Sequence, residues 1–367
     1  MVDTPTCLSS APAIILQCLY RARGLVRSPR LPGVAPRAGV RRMRGRWAAL
    51  LLGLALSLPV GGMAFEVIDM ATVFPGAFDT VVYGINNAST IVGSFVDGSG
   101  TTHGFVRIGL LISKIDVPGA TDTVVLGLNN QDPPQIVGSF GDGFGRHGFV
   151  CVYPCSGSAI VPVDPPGAYL TAVHGINDAG VIVGEFTGGG TFGNVGLHGF
   201  ESLGPFLATP VPQRFFVQWD LPGSTSGTVL YGINNAYTIV GSFTAGGKTI
   251  AFVRPTASGQ FTQLDVSELA PPVGDLAEAY GITSDPNDLG TVIVGYYRNS
   301  FGEAHGLLVR PAAVRRSITV DVPVSGALGT RFLGVNEYFQ AVGSFVDKDL
   351  VHHGFILDLA TIIIETP

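Results

Sequence analysis

A short phrase that recurs six times along the chain constrains the fold more than any other feature of the sequence. It reads YGINN or a close variant such as LGLNN, and each copy is followed by IVGSF and then HGF, or by relatives of these. The glycine of the phrase advances from Gly84 to Gly334 with a mean spacing of 50 residues. A period of this length is typical of solenoids and propellers.

A fourth element precedes the phrase in every copy: an apolar residue, then aspartate, and often Pro-Gly. All four elements are short, rich in Val, Ile, Phe and Tyr, and separated by Gly, Asn, Asp and Pro, so they read as β-strands. In the tight loops after the phrase, such as residues 86–89 and 177–180, we expect Asn, Asp and Gly to adopt positive φ. The lead-in aspartates are Asp69, Asp116, Asp164, Asp220, Asp265 and Asp321.

Four antiparallel strands in ~50 residues make a sheet too small to be stable alone, so the copies must bury their faces against one another. A ring of such sheets is a β-propeller. The sequence therefore predicts an all-β, six-bladed β-propeller in one domain, residues 65–367. An open β-solenoid and two packed β-sandwich domains are the alternatives. The last residues, from Ile364, match the lead-in strand at Val320 and are expected to begin a seventh copy of that strand.

The first 64 residues have a different composition from the rest of the chain. They hold nine arginines and one acid, which leaves the remainder with a net charge of −14. A basic segment, an apolar run of 14 residues from Trp47 to Val60 and small residues up to Ala64 predict a secretory signal peptide at 43–64. An uncleaved anchor is the alternative, although the run is short for a bilayer core of ~30 Å. A signal peptide starts at the initiator, so we expect Met43 to be the true start and 1–42 to be a non-native extension.

Composition excludes several functional classes. A hydrophobic fraction of 46% argues against disorder, and 51 glycines without a three-residue period argue against collagen. The body of the chain has no basic cluster, so we expect no nucleic-acid partner. We also expect no membrane span in the mature protein, no cofactor, no metal and a monomeric state. Calcium is a weaker alternative, because the Asp-Gly turn at Asp97 lacks the alternating oxygen ligands of an EF-hand.

Two cysteines fall in the mature chain, in the segment CVYPC. A turn at Pro154 would bring the Cα atoms of Cys151 and Cys155 within the ~4.4–6.8 Å that a disulfide requires. We therefore predict a local disulfide, which suits an oxidising compartment. Free thiols and a C-x3-C metal site are the alternatives. The other two, Cys7 and Cys18, precede Met43.

Five histidines recur at one position of the repeat, which favours a structural role over catalysis. We expect each to donate or accept a hydrogen bond with the lead-in aspartate, for example Asp116. In the fourth copy Ile250 replaces the histidine, so this pairing is not obligatory. The glycine of IVG, as at Gly93, is expected to permit close approach of strands. The histidines are His103, His147, His198, His305 and His353.

The phrase GINNxxxIVGSFxDxxGxxHGF with its DVPGA lead-in resembles the HAF family of extracellular repeats of bacterial exported proteins. The resemblance spans residues 65–360 and occurs in all six copies, although copies four and five depart from it at Ile250-Ala251 and Thr283-Ser284. It implies export and a repeated all-β array. It implies no enzymatic activity, and the mature chain contains no GxSxG, HExxH or paired CxxC motif.

Candidate ligand-binding residues are sought where copies break their own pattern, because shared residues build the scaffold. His174 replaces the Tyr or Leu of the phrase; Glu185 and Tyr296 replace the Ser of IVGSF; and Trp219 precedes a lead-in aspartate. Ordinary drift among imperfect repeats is the alternative. Longer insertions, expected to form rim loops, lie at 187–197, 201–218 and 265–279.

Two functions are compatible with these features. We favour an exported, non-catalytic repeat protein that presents a binding surface to an extracellular ligand, either a glycan or a protein. The alternative is an exported hydrolase or lyase acting on polysaccharides or esters at the mouth of the propeller, with Glu185 and His174 as its acid and imidazole. An enzyme predicts a deep polar funnel with converging carboxylates, whereas a binding module predicts exposed aromatic residues on a shallow face.

Overall fold

The computed structural model describes residues 64–189, 195–202, 204–207, 216–255, 259–284, 290–311 and 317–365. The predicted extension and almost all of the predicted signal peptide lie outside these residues. In the described residues, 24 strands form six four-stranded antiparallel units. The first strand, β1 (Phe65–Ile68), belongs to the last of these units.

Three of the units, or blades, contain strands in unbroken chain order. Blade 1 is formed by β2 (Phe78–Ile85), β3 (Ile91–Val96), β4 (Thr102–Ile108) and β5 (Leu111–Ile115). Blade 2 is formed by β6 (Asp122–Leu128), β7 (Gln135–Gly141), β8 (Arg146–Val152) and β9 (Val161–Val163). Blade 3 is formed by β10 (Ala168–Ile176), β11 (Ile182–Gly189), β12 (Val195–Ser202) and β13 (Phe216–Trp219).

The other three blades follow the same plan. Blade 4 is formed by β14 (Thr228–Ile233), β15 (Ile239–Ala245), β16 (Lys248–Arg254) and β17 (Thr262–Gln263). Blade 5 is formed by β18 (Val273–Ile282), β19 (Ile293–Asn299), β20 (Ala304–Val309) and β21 (Ser317–Thr319). Blade 6 is formed by β22 (Gly329–Val335), β23 (Gln340–Val346) and β24 (His352–Asp358), with β1 as its outer strand.

The inner strand of each blade carries the YGINN phrase, and these six strands close a ring. Each contacts the inner strand of the next blade, in the order β2, β6, β10, β14, β18 and β22, and β22 contacts β2 again. The predicted six-bladed β-propeller is therefore confirmed, and an open solenoid is excluded because its first and last copies would not meet.

The blade boundary differs from the boundary of the sequence repeat. Each lead-in strand pairs with the HGF strand of the copy before it, so it forms the outer strand of the preceding blade. The first lead-in strand, β1, has no preceding copy and pairs along its whole length with β24, from Phe65 opposite Leu357 to Ile68 opposite Gly354. The N-terminal strand thereby closes the ring.

The predicted seventh strand at the C-terminus is wrong. Residues Ala360–Glu365 form a short helix, α1. The edge of β24 that such a strand would need is already occupied by β1. The chain instead turns inward, and Ile363 is buried in the hydrophobic cluster that Phe332 and Phe355 also join.

Hydrophobic side chains are buried between neighbouring blades. One cluster, for example, joins Val137 and Val150 of blade 2 to Val173, Ile182 and Phe200 of blade 3. The phenylalanine of HGF is fully buried in the copies that retain it, and the glycine of IVG lies beneath its ring. A methyl group at Gly93 would overlap both the carbonyl oxygen of Val81 and the ring of Phe105, so this glycine does permit close approach of strands.

The tight turns use their asparagines differently from the sequence prediction. Positive φ falls on the fourth residue of the turn, at Ser89, Gly180, Tyr237 and Phe339, and not on the asparagines. The first asparagine instead caps its own turn, as where Asn86 Oδ1 accepts hydrogen bonds from the backbone N–H groups of Ala88 and Thr90. Its amide is thus left to contact the next blade.

Cys151 and Cys155 form a disulfide, with the two Cα atoms 5.3 Å apart. The bond ties the end of β8 to the loop that leads into β9. Of the predicted rim insertions, 190–194, 203 and 208–215 lie outside the described residues, whereas residues 273–279 belong to β18 rather than to a loop. In the portion of the chain that the structure describes, no helix has the length and apolar character needed to cross a membrane.

Candidate functional site

The propeller has two faces, which are defined by the connections between strands. The turn face carries the turns between the first and second strands of each blade, such as residues 86–90. The hairpin face carries the hairpins between the second and third strands, such as residues 97–101, and also the starts of the inner strands. A channel along the axis joins the two faces and is lined by the inner strands.

At the turn face, hydrogen bonds link the blades into a ring. The amide of the first asparagine in the phrase donates to the backbone carbonyl of the next blade, as from Asn86 to Asn129 at 3.2 Å. Equivalent bonds run from Asn129, Asn177, Asn234 and Asn336 to the next blade in turn. In copy five, Thr283 stands in place of asparagine and has no amide to donate.

The second residue of the pair closes a complete ring. Its backbone N–H donates to the side-chain oxygen of its counterpart in the next blade, from Asn87 to Asn130 at 2.8 Å and onward around the axis. The ring returns to its start where Glu337 N–H donates to Asn87 Oδ1 at 3.0 Å. Its members are Asn87, Asn130, Asp178, Asn235, Ser284 and Glu337. The asparagine pair is thus a connector between blades.

Deeper in the channel, a glutamate collects hydrogen bonds from tyrosines of two blades. Glu278 of β18 is only 9% exposed. Its Oε1 accepts from Tyr231 Oη at 3.3 Å and its Oε2 from Tyr280 Oη at 3.1 Å. The two phenol rings stack with centroids 4.0 Å apart. A buried carboxylate is therefore held by two donors whose own positions are fixed by stacking.

Three of the four residues singled out from the sequence converge on this glutamate. His174 Nε2 lies 3.4 Å from Glu185 Oε1, and the imidazole meets the ring of Tyr231 edge-on at 5.0 Å. Tyr296 packs against Tyr280 with centroids 5.9 Å apart, and the guanidinium of Arg331 lies 5.0 Å from the centre of the Tyr296 ring. We call this group the axial cluster: His174, Glu185, Tyr231, Glu278, Tyr280, Tyr296 and Arg331.

Burial keeps the phenols of the axial cluster protonated. The pKa of Tyr231 is raised well above its usual value, first by burial and then by the charges of Glu278 and Glu185. Burial also raises the pKa of Tyr280 and of Tyr296, again with Glu278 as a contributing charge. At neutral pH these tyrosines are therefore hydrogen-bond donors and not nucleophiles.

The channel itself has little room. One axial cavity of about 90 Å³ lies at the level of the glycines of the phrase, and a second of about 80 Å³ lies at the turn face. Both are far below the ~300–1,000 Å³ of typical small-molecule sites. The aliphatic residues between the cavities line both of them, as Ile85 and Ile176 do. The axial cavities accommodate waters, and they do not form the deep funnel expected of a polysaccharide-degrading enzyme.

Trp219, the fourth residue singled out, lies apart on the outer strand of blade 3. The guanidinium of Arg254 lies 4.2 Å from the centre of the indole, and Phe261 meets it edge-on at 5.4 Å. Its Nε1 donates to Glu201 Oε2 at 3.1 Å. Neighbouring side chains thus cover the indole, so it does not offer an exposed platform to a ligand.

Exposed aromatic and aliphatic side chains stand on the hairpin face instead. Phe144 and Phe301 are the third residues of the hairpins of blades 2 and 5, with 97% and 85% exposure, and Leu350 is exposed one position later in the hairpin of blade 6. Each tip neighbours the start of the next inner strand, where another apolar residue is exposed, such as Tyr169 beside Phe144. Those partners are Tyr169, Leu328 and Phe78.

Beside these tips lie the repeated histidines, each contacting the lead-in aspartate of the next copy around the ring, which lies on the outer strand of the same blade. The Nδ1 atoms of His103, His147, His198 and His305 lie 2.7–2.9 Å from the lead-in carboxylate, and His353 lies 3.8 Å from Asp69. The other ring nitrogen contacts the first residue of the hairpin in blades 1, 2, 5 and 6, as where His103 Nε2 lies 3.1 Å from Asp97 Oδ2. The histidines therefore fasten the hairpins to the outer strands.

A larger cavity than the two axial ones lies on the same face, at the junction of blades 4 and 5. It has a volume of about 530 Å³, and its walls come from the end of β17, the following loop and the start of β18. In the described residues, no cluster of three or more His, Cys, Asp or Glu side chains has the arrangement of a metal site.

Four of the seven residues of the axial cluster were not singled out from the sequence: Tyr231, Glu278, Tyr280 and Arg331. Glu278 and Arg331 occupy an inner-strand position, two residues before the Tyr or Leu of the phrase, where the other copies have Val81, Val124, Ala172 and Val229. This is the same kind of pattern break that singled out Glu185, but it falls between the repeated phrases. The exposed aromatics of the hairpin face lie in the variable spacers and carry no repeat signal.

Comparisons with known proteins give the following matches. No family model matches the chain, and neither does any curated protein. Among solved structures, a Trypanosoma rangeli sialidase with the inhibitor DANA is 7% identical, with 80% of this chain and 56% of that one covered and a TM-score of 0.48. An Aleuria aurantia lectin in complex with Fucalpha1-6GlcNAc is 10% identical, with 76% and 93% covered and a TM-score of 0.46.

TolB from Acinetobacter baumannii is 9% identical with a TM-score of 0.41, and the match covers 76% of this chain and 54% of TolB. The chain thus spans about half the length of TolB. Identity at this level carries no information on ligand or activity, because one fold serves many functions.

Proposed function

We propose that this chain is an exported, non-catalytic β-propeller that binds a glycan on its hairpin face. The observation that carries the proposal is the pairing of exposed apolar side chains at the blade junctions, above all Phe144 with Tyr169 and Phe301 with Leu328. Exposed apolar side chains that lie together mark a contact surface, and Phe144 and Phe301 hold corresponding hairpin positions in blades 2 and 5.

The surroundings of these side chains favour a glycan over a protein ligand. The apolar tips lie in blades 2, 5 and 6, and carboxylates and histidines lie beside them, as Asp142 and His147 do beside Phe144. A protein partner would be expected to need one continuous surface of ~800 Å² on each side. Sugar units instead present a small C–H face to an aromatic ring and hydroxyl groups to nearby polar side chains, so separate small sites suit a repeating polymer.

Export is supported by the sequence of residues 43–64 and by the resemblance to extracellular HAF repeats. The Cys151–Cys155 disulfide is compatible with an oxidising compartment. The small axial cavities and the absence of a known catalytic motif weigh against the hydrolase or lyase alternative.

The proposal is tested with mature protein that begins at Phe65, on a glycan array and in a panel of polysaccharide and ester hydrolysis assays. We expect binding to at least one glycan without turnover. The double variant Phe144→Ala/Phe301→Ala should weaken that binding at least tenfold, which corresponds to about 1.4 kcal/mol.

A matched control is Leu110→Ala, because Leu110 is equally exposed but lies in the loop between the third and fourth strands, on the turn face. This variant should bind as the unmodified protein does. Capture of a protein ligand in place of a glycan, or measurable turnover, would overturn the proposal.

A further inference from the structure

The cavity at the junction of blades 4 and 5 has the size of a small-ligand site. Its volume of about 530 Å³ falls within the ~300–1,000 Å³ of such sites, and it opens on the hairpin face. It is about six times larger than either axial cavity. A ligand too large for the channel can therefore enter here.

The walls of the cavity combine an apolar floor with a polar rim. Leu264 is buried, and Val266 and Val273 are half-buried, so together they present aliphatic surface. The rim is formed by exposed Asp265, Ser267 and Gln263. The Asp265 carboxylate is oriented by its neighbour, since Oδ1 accepts from Ser267 N–H at 3.1 Å and from Ser267 Oγ at 2.7 Å.

The fourth copy differs from the others at this place. Asp265 is the lead-in aspartate of the fifth copy, and the fourth copy places Ile250 opposite it in blade 4, so no imidazole stands where the five other blades carry histidine. The segment from Asp265 to the first residue of the phrase that follows it, Tyr280, is also longer than the equivalent segment of the other five copies. Both departures from the repeat occur where the cavity lies.

From this geometry we infer that the cavity binds a single non-acidic hexose unit, neutral or amino-substituted. The inference rests on the proposed glycan-binding function and names its sugar class. An aliphatic floor suits the C–H face of a pyranose, and a carboxylate, a hydroxyl and an amide along one rim match vicinal hydroxyl groups. The rim carries Asp265, and Glu268 and Asp275 are exposed in the same segment, so uronic and sialic acids meet like charge.

The test uses mature protein from Phe65 with glucose, glucosamine and glucuronate, and NMR or calorimetry as the readout. We expect glucose or glucosamine to bind and glucuronate to bind at least tenfold more weakly. Asp265→Asn should weaken binding about tenfold, because a charge-assisted hydrogen bond is replaced by a neutral one. Ser267→Trp, at an exposed position, should fill the cavity and abolish binding without disturbing the core.

Glu268→Gln is the matched control, since Glu268 neighbours the cavity but does not line it; hexose affinity should stay within twofold. A hexose signal that survives Ser267→Trp, or an equal affinity for glucuronate, would overturn the inference. The two proposals are separable. Suppose that glycan-array binding is lost in Phe144→Ala/Phe301→Ala but kept in Ser267→Trp: the proposed function then stands and the hexose site is removed. Hexose binding without any signal on the array would instead leave the hexose site standing and remove the proposed function.

Discussion

At the scale of single residues, three hairpin aspartates show how the repeat holds its turns. Asp97, Asp142 and Asp347 each open a hairpin and accept hydrogen bonds from its backbone N–H groups. The pKa of each carboxyl is held below its usual value by hydrogen bonds. The largest contribution comes from the Ser99 hydroxyl for Asp97 and from a backbone N–H for Asp142 and Asp347. These contacts favour the charged form, so they link stability to pH.

We expect the free energy of unfolding to fall as the pH drops below about 4. In that range the aspartates of the unfolded chain become protonated, whereas the three hairpin carboxylates of the folded protein stay ionised to lower pH. The triple variant Asp97→Asn/Asp142→Asn/Asp347→Asn should lose less stability than the unmodified protein between pH 7 and pH 3, as measured by urea unfolding. It should still fold, because copy five already has Asn299 at this position, hydrogen-bonded to Glu303 N–H. Parallel pH profiles for the two proteins would contradict the expectation.

A second residue-scale prediction concerns Thr283, which interrupts the amide-to-carbonyl hydrogen bonds that the first asparagine of the phrase makes in the other five copies. Thr283→Asn should preserve the bond from Val292 N–H, which Thr283 Oγ1 now accepts, since the asparagines of other copies accept the equivalent bond. It would also add an amide directed at the backbone carbonyl of Asn336. We expect a gain of about 1 kcal/mol, or a rise of ~2–4 °C in Tm.

Calorimetry measures the effect of Thr283→Asn directly. The reverse change, Asn234→Thr, removes an amide from an intact link of the same ring and serves as the control. It should lower Tm by a similar amount. A decrease in Tm for both variants would show that the turn of the fifth copy, at Thr283, has no room for the amide.

At the scale of elements, β1 is the strand on which ring closure depends. It is only four residues long, yet Ile68 is buried and Glu66 makes a two-pronged contact with Arg107 of blade 1. It thereby joins blade 6 to blade 1 through both its backbone and its side chains.

A variant that lacks residues 65–68 should lose about 3–5 kcal/mol of stability from the buried isoleucine, the ladder and the ion pair. We expect the Tm to fall by ~5–10 °C. A peptide of residues 64–70 added in trans should restore the Tm in a concentration-dependent way, whereas a scrambled peptide should not. An unchanged Tm after the deletion would mean that another segment can complete blade 6.

The same strand marks the limit of what the sequence could predict about the elements. Repetition gave the number of blades and the strands in each, because turn residues and apolar runs recur in every copy. It could not give the blade boundary, because the period of the repeat is the same whether a lead-in strand is grouped with the phrase after it or with the HGF strand before it. The pairing of each lead-in strand with the HGF strand before it, and of β1 with β24, decides that a lead-in strand belongs to the preceding blade.

The candidate site was predicted in part for a related reason. Departures from the repeat singled out His174, Glu185 and Tyr296, and these converge because equivalent positions of a ring face a common axis. Trp219 departs from the pattern on an outer strand, where no such convergence exists, and its ring is covered by Arg254. The cavity beside Asp265 depends on the course of a variable loop, which no periodic signal describes.

At the scale of the whole molecule, the axial cluster exists only when the ring is closed, because its members come from blades 3 to 6. Burial and the charge of Glu278 raise the pKa of Tyr231 and Tyr280 in the folded state. The folded protein therefore keeps these protons above pH ~10, where unfolded tyrosines release theirs. Stability is fully present below that pH and is lost as the pH rises beyond it.

Ultraviolet titration of the folded protein should show a group of tyrosines that ionise only together with unfolding. In Glu278→Gln, the charge that opposes ionisation is gone, so we expect these tyrosines to titrate at lower pH than in the unmodified protein. The denatured protein, in which all ten tyrosines are accessible, supplies the reference. Identical titration curves for folded and denatured protein would contradict the burial of the cluster.

The six backbone hydrogen bonds of the turn-face ring all run in one rotational sense, each blade donating an N–H to a side-chain oxygen of the next. Such an interface is head-to-tail, like that of a cyclic oligomer whose rotation happens to close after six steps. The covalent chain is then a tether that keeps six similar subunits at high local concentration, and not the source of the closure.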